Sequence, residues 1–240
     1  VIENDRVIER IARRYEGRWL QGYARGKLRG DPVFAAAATL LKGASLPVLD
    51  VGCGIGLFEF YLRECGFTAP LAGCDFDAAK IAQAQRIARD FADVTFTHAD
   101  LTVGLPAGEC GHVVIFDVLH YLPAAAQRRL LESVAARVAP GGCCLIRDTP
   151  RDGSWRFRAT QLEEWFIRAI SWMKSGAVHY PTVAEVVAPF TARGFTAEVR
   201  PLWGRTPFNS HLFILRATAG GPSSAASSPD TSRCADSAAT

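Results

Sequence analysis

Val48-Leu49-Asp50-Val51-Gly52-Cys53-Gly54-Ile55-Gly56 joins the end of an apolar strand to a three-glycine turn that opens a helix. Val48, Leu49 and Val51 suit a strand covered on both faces. Gly52, Gly54 and Gly56 let the main chain bend sharply and lie close to a ligand. The helix that follows offers N–H groups and the positive end of its dipole. An anionic or polar cofactor group is therefore expected here, just beyond the carboxyl end of the first strand.

The next strand-like run, Pro70-Leu-Ala-Gly-Cys74, ends in Asp75. That carboxylate lies near the roughly 20-residue spacing at which an acid meets a ribose diol. A carboxylate suits that task because it accepts two hydrogen bonds. Its alternative role is to cap the helix that begins near Ala78, which Asp77 fills equally well. Further strands are expected near 93–97, 112–118 and 142–148, with helices near 56–65, 77–90 and 124–138. This alternation predicts an α/β fold, a Rossmann-like, doubly wound, mostly parallel sheet with helices on both faces. Two last strands, near 196–203 and 209–216, are too close for a crossover helix and predict an antiparallel hairpin.

As a set these segments resemble the class I S-adenosylmethionine (SAM) dependent methyltransferases. Asp50-Val-Gly-Cys-Gly-Ile-Gly56 is similar to that family's first motif and Gly73-Cys-Asp75 to its second. His98-Ala-Asp100-Leu101 resembles the acid that meets adenine, and His112 through Leu122 the fourth motif. Leu131 through Pro140-Gly-Gly142 resembles the sixth. The likeness covers about residues 45–150. It implies a seven-stranded sheet whose antiparallel last strand inserts beside the parallel ones, and SAM as cofactor.

On that resemblance the glycine turn takes the amino-acid end of SAM. Asp50 then acts on the ammonium, directly or through water, or else caps the turn. Asp75 takes the ribose. Phe76 lies on an adenine face or packs in the core. Asp100 accepts from the adenine amino group beside the Leu101 N–H, or caps the turn that follows. Phe116 ends the fourth strand, where a backbone carbonyl suits the ammonium. Methyl transfer from a sulfonium is an in-line displacement that depends on alignment at about 3–3.5 Å. A hydroxyl acceptor also needs a base, and histidine is the natural one. Of the five histidines, His120 follows the fourth strand and His179 could approach from the lid side. Each has a plainer reading, His120 as a backbone hydrogen-bonding group and His179 as an exposed turn residue.

Arg147 and Asp148 end the fifth strand; they pair with each other on the surface or orient substrate. Tyr121 lines the substrate pocket or packs. Aromatic residues gather at Tyr15, Trp19 and Tyr23 and again from Trp155 to Tyr180, including Trp165. Such stripes commonly pack helices, but their density favours an apolar or aromatic acceptor lined by Tyr15, Trp19 and Trp165. Tyr15 through Phe34, with Lys27-Leu-Arg-Gly-Asp-Pro32, resembles methyltransferases of aryl-polyene pigment clusters, which points to a phenolic or polyketide-like acceptor.

Domain organisation is expected as a helical cap over residues 1–45, the cofactor-binding domain over 46–217 with a helical substrate segment near 155–180, and a disordered tail over 218–240. The 240 residues are 49% hydrophobic and carry a net charge of only +3. No long charge run occurs, so nucleic acid is not the expected partner; a small molecule is. No apolar run reaches the ~18 residues of a membrane span, and no signal peptide is read at the start. Seven cysteines without Cys-x-x-Cys spacing read as reduced residues of a cytoplasmic protein, and no metal site is expected. Rival readings are a catalytically idle SAM-binding scaffold and an NAD-linked oxidoreductase. The latter would show Gly-x-Gly-x-x-Gly, and here the third glycine comes one place early.

Overall fold

The computed structural model describes residues 2–106, 110–169, 177–204 and 206–218. Of the tail expected over 218–240, residues 219–240 lie outside the described residues. Three helices come first: α1 (Ile2–Arg13), α2 (Arg18–Gly30) and α3 (Val33–Leu40). Then β1 (Val48–Val51), α4 (Leu57–Glu64), β2 (Leu71–Asp75), α5 (Ala78–Ala88), β3 (Val94–His98) and β4 (His112–Phe116) follow. A short 3-10 helix (Leu119–Tyr121) leads to α6 (Ala124–Arg137) and β5 (Cys143–Asp148). The last elements among the described residues are α7 (Trp155–Ala169), α8 (Val183–Thr191), β6 (Thr196–Pro201) and β7 (His211–Arg216).

The strands form one seven-stranded sheet in the order β3-β2-β1-β4-β5-β7-β6. β1 pairs in parallel with both β2 and β4, so the strand order reverses between β1 and β4. In open α/β sheets that reversal opens a crevice beyond the strand ends. β6 and β7 pair as the antiparallel hairpin their close spacing predicts, and β7 inserts between β5 and β6 as the family resemblance implies.

Each face of the sheet has its own core. One joins Val48, Phe96, Val114 and Leu145 to α1 through α5, including Ile8, Ile11, Phe34, Phe58 and Phe60. The other joins Val51, Val113, Ile115 and Ile146 to α6 and α8 through Leu131, Val134, Val186 and Phe190. The first 45 residues thus share a core with the sheet. Cys53, Cys74, Cys143 and Cys144 are buried and unpaired, packing as small apolar side chains. Among the described residues no helix is long and apolar enough to cross a membrane.

Tyr15, expected to face substrate, is instead 1% exposed, with its ring against Phe60 at 6.4 Å. Its hydroxyl donates to the carbonyl of Ile55 at 2.9 Å, inside the glycine turn. The reason is local: α1 and α2 turn at this residue, and its phenol spans the core to a carbonyl that would otherwise be buried unpaired. Tyr15→Phe is expected to lose about 1–3 kcal/mol, the cost of stranding that carbonyl. Urea titration should show a lower midpoint at an unchanged slope; an unchanged midpoint would refute the role.

Candidate active site

At the carboxyl end of β1 the main chain is clasped to β2. The N–H groups of Gly52 and Cys53 both donate to the carbonyl of Cys74, at 2.7 and 3.0 Å. Gly52 has φ +85°, and a side chain on it would collide with Val118. Gly56, at φ +79°, would place a Cβ 2.6 Å from the ring of Phe96. Gly54, by contrast, has φ +57° and nothing within 4 Å of where its Cβ would stand. The turn therefore closes inward at two glycines and leaves open space in front of the third. The ladder of α4 begins with Phe60 N–H on the Gly56 carbonyl, so the preceding amides belong to a helix N-terminus beside that space.

Asp75 is 5% exposed, and its carboxylate accepts the N–H of Gly54 at 2.9 Å and of Asp77 at 2.8 Å. Each oxygen keeps a further lone pair. Capping of α5 falls to Asp77, which accepts from Ala79 and Lys80. Phe76 is 64% exposed, with the Lys80 ammonium 6.0 Å from its ring centre, so it does not pack in the core. Asp100 is exposed and accepts the Thr102 N–H and hydroxyl at 2.8 and 2.7 Å, which caps the next turn; Leu101 is buried. Thr102 holds the Asp100 carboxyl below its ordinary value by those hydrogen bonds. Phe116 packs edge-on to Phe58 at 5.1 Å.

Asp50 is buried beneath the turn, and its Oδ1 finds no hydrogen-bond partner among the described residues. Burial, and then the charge of Asp75, push its carboxyl well above the ordinary range. Sequence reasoning overlooked Glu59. It stands at the third position of α4, is 1% exposed, and has neither carboxyl oxygen hydrogen-bonded among the described residues. The signal was present: a single acid within Leu57-Phe-Glu-Phe-Tyr-Leu62, a helical run apolar on every side.

The other half of the site lies at the ends of β4 and β5. His120 Nδ1–H donates to Asp148 Oδ1 at 2.8 Å. Asp148 is 1% exposed and is held by the N–H groups of Leu119 (2.9 Å) and Thr149 (2.7 Å). An acceptor carboxylate so fixed places the imidazole proton on Nδ1 and makes Nε2 the basic nitrogen. The rings of Tyr121 and Tyr180 lie 4.1 and 5.8 Å from that of His120, and Phe157 meets Tyr180 edge-on at 5.1 Å.

Arg147 and Asp148 do not pair, contrary to the surface-pair reading. Neighbours on a strand point to opposite faces. Arg147 turns toward the N-terminal helices and bonds Asp31 and Asp117, the latter at 2.6 Å. Lys27 completes the group, 2.7 Å from Asp31 and 3.5 Å from Asp117. Burial opposes the charge on Arg147, but Asp117 and Asp31 outweigh it and raise its pKa. The four charges tie α2 to the ends of β4 and β5 and occupy Arg147 with protein partners. His179, read as a lid-side base, sits in a groove of about 630 Å³ between α6 and α8. Its Nε2 lies 3.9 Å from Glu185 and its carbonyl is taken by Gln127 at 2.7 Å. The site histidine brought onto a carboxylate at the sheet edge is therefore His120. Trp19 is 61% exposed and stacks on Tyr23 at 5.8 Å. Trp165 falls in α7, where its side chain lies outside the described residues.

Residues 20–198 match the family described as the methyltransferase domain. A stretch of 97 residues is 35% identical to the ribosomal protein L11 methyltransferase of Burkholderia ambifaria, covering 40% of this chain and 29% of that protein. The chain thus spans less than a third of the length of that relative. Among solved structures, an O-methyltransferase family protein from Burkholderia thailandensis is similar at TM-score 0.66 and 16% identity, over 89% of this chain and 64% of the other. Magnesium protoporphyrin IX methyltransferase from Synechocystis PCC 6803, with bound S-adenosylhomocysteine (SAH), is similar at TM-score 0.62 and 19% identity, over 89% and 95%. Those structural likenesses concern the fold; the family match extends over most of the chain, through the glycine turn, Asp75 and the strand ends that carry His120 and Asp148. The chain belongs to the methyltransferase domain family.

Proposed function

We propose that this chain is a SAM-dependent methyltransferase acting on a small aromatic or apolar acceptor, with His120 as general base for a phenolic hydroxyl. The observation that carries the reading is a juxtaposition at one sheet edge. The three-glycine turn and Asp75 stand at the ends of β1 and β2, and the His120–Asp148 pair at the ends of β4 and β5.

The residues fit the cofactor. Open space faces Gly54, the Asp75 carboxylate has lone pairs for a diol, and Asp50 offers an unpaired buried oxygen. The glycine turn and Asp50 would hold the amino-acid end, Asp75 the ribose, and exposed Phe76 an adenine face. When bound, SAM supplies an electrophilic methyl group on a positively charged sulfur. The chain's own work is alignment, exclusion of water and removal of a proton. Asp148 orients the His120 ring and stabilises the imidazolium that forms when Nε2 accepts the acceptor's proton. Tyr121 and Tyr180 flank that ring, and Phe157 meets Tyr180 edge-on, an aromatic surface suited to a flat, apolar substrate. The solved O-methyltransferase relatives favour an oxygen acceptor.

Asp75→Ala is expected to weaken SAM binding at least tenfold, since charge-assisted hydrogen bonds contribute about 1.5–3 kcal/mol; equal affinity by calorimetry would discard the ribose role. His120→Gln should lower kcat by about 10²–10⁴ with SAM affinity kept. Asp148→Asn should lower kcat with little change in KM, because an amide can present its N–H to the ring and fix the wrong tautomer. A screen with labelled methyl donor should find transfer to phenols; transfer confined to RNA or protein would overturn the acceptor assignment.

A further inference from the structure

Asp50 and Gly73 are directly paired in the β1–β2 ladder, so their side-chain positions stand next to each other on the same sheet face, about 4.8 Å apart across the strands. Gly73 has no side chain. A Cβ there would collide with Glu59 Oε1, and would stand 2.7 Å from the Phe96 ring and 2.8 Å from Cys53 Sγ. The Glu59 carboxyl thus fills the void left by Gly73, beside Asp50 and below the glycine turn. Three oxygens of these two acids, Asp50 Oδ1 and both of Glu59, lack hydrogen-bond partners among the described residues.

Among the described residues no cation compensates these acids. The charged groups acting on Glu59 are Asp50 from β1 and Asp75 from β2, both acids. Cys53 in the turn, Cys74 on β2 and Tyr15 at the α1–α2 corner are the other titratable neighbours, and burial raises each of their pKa values above the ordinary one. Burial first, then the charge of Asp50, raises the Glu59 carboxyl well above its ordinary value. An ion without a partner at such depth would cost several kcal/mol, and a proton removes that cost.

We propose that Asp50 and Glu59 together carry a proton in the free protein and that the cationic cofactor displaces it, making Glu59 a positioning residue of the cofactor site. The inference rests on the cofactor reading given above. SAM brings a sulfonium and an ammonium against one carboxylate, a net charge of +1. Bound over the turn, it stabilises the ionised pair, and the proton passes to solvent. Affinity for SAM therefore rises with pH, by up to ~tenfold per unit for one proton released.

Calorimetric titration of the full chain with SAM between pH 5.5 and 7.0 tests this, because an α-ammonium (about 7.7–8.0) stays charged there. In buffers of low and high ionisation enthalpy the native chain should show a proton released, and affinity should climb with pH. Glu59→Gln, whose amide can donate to Asp50 without titrating, should release markedly less and show a flatter pH dependence. Heats that are the same in both buffers, or a Glu59→Gln release equal to the native one, would overturn the proposal while leaving SAM binding intact. Complete absence of binding by the native chain would instead overturn the cofactor reading and this proposal with it. Glu59→Leu supplies a second readout without cofactor. An acid whose pKa is raised by folding favours the native state below its unfolded value near 4.3, and that contribution is lost as pH rises. The Tm of Glu59→Leu relative to the native chain should therefore climb from pH 6 to pH 9; a constant difference would refute a buried, titrating Glu59.

Discussion

The carbonyl of Cys74 accepts two successive N–H groups, from Gly52 and Cys53, and the neighbouring Asp75 carboxylate accepts a third from Gly54. This clasp fixes the turn at the end of β1 to the end of β2. Each bond contributes only about 0.5–1.5 kcal/mol net, yet together they leave the turn a single path. Gly52 and Gly56 both hold a positive φ, and neither has room for a side chain, Val118 lying against the first and Phe96 against the second. From the far side the Tyr15 hydroxyl holds the Ile55 carbonyl. The N-terminal helices are thereby braced against the same turn that would receive the cofactor.

Charge is buried in two contrasting ways around this turn. Lys27, Asp31, Asp117 and Arg147 neutralise one another across α2, β4 and β5. Such a group adds little net stability, because desolvation offsets attraction, but removing one member would strand the others. Its effect is geometric: it registers α2 against the strand ends. Asp50 and Glu59 have no such balance among the described residues, and burial raises both carboxyl groups well above their ordinary range. The His120–Asp148 pair is a third case, in which backbone N–H groups satisfy the buried carboxylate and leave it free to orient an imidazole.

Much of the sheet was legible along the chain, because short continuous apolar runs separated by glycine and proline mark strands buried on both faces and their ends. The three-glycine turn and Asp75, 21 positions apart at Gly54, do meet at the ends of β1 and β2. Alternation could also have shown that Arg147 and Asp148 face opposite ways; reading them as a surface pair ignored the period of the strand. Tyr15 was misplaced because an aromatic stripe at helical spacing looks the same whether it faces a ligand or a core. Choosing His120 over His179 needed the fold, since the carboxylates that hold them, Asp148 and Glu185, lie on different elements.

The sequence by itself determined the strand order of chemistry: which segment bends on glycine, which acid follows it, and that the last two strands form a hairpin. These are local facts, governed by sterics and periodicity within a few residues. Only the tertiary structure decided which charges meet. Glu59 lies beside Asp50 because Gly73, 14 positions further on, leaves a hole in the neighbouring strand. Arg147 finds Asp31 across 116 positions for the same kind of reason. Electrostatic partners are set by distance in space and by the water removed between them, and neither quantity is written along the chain.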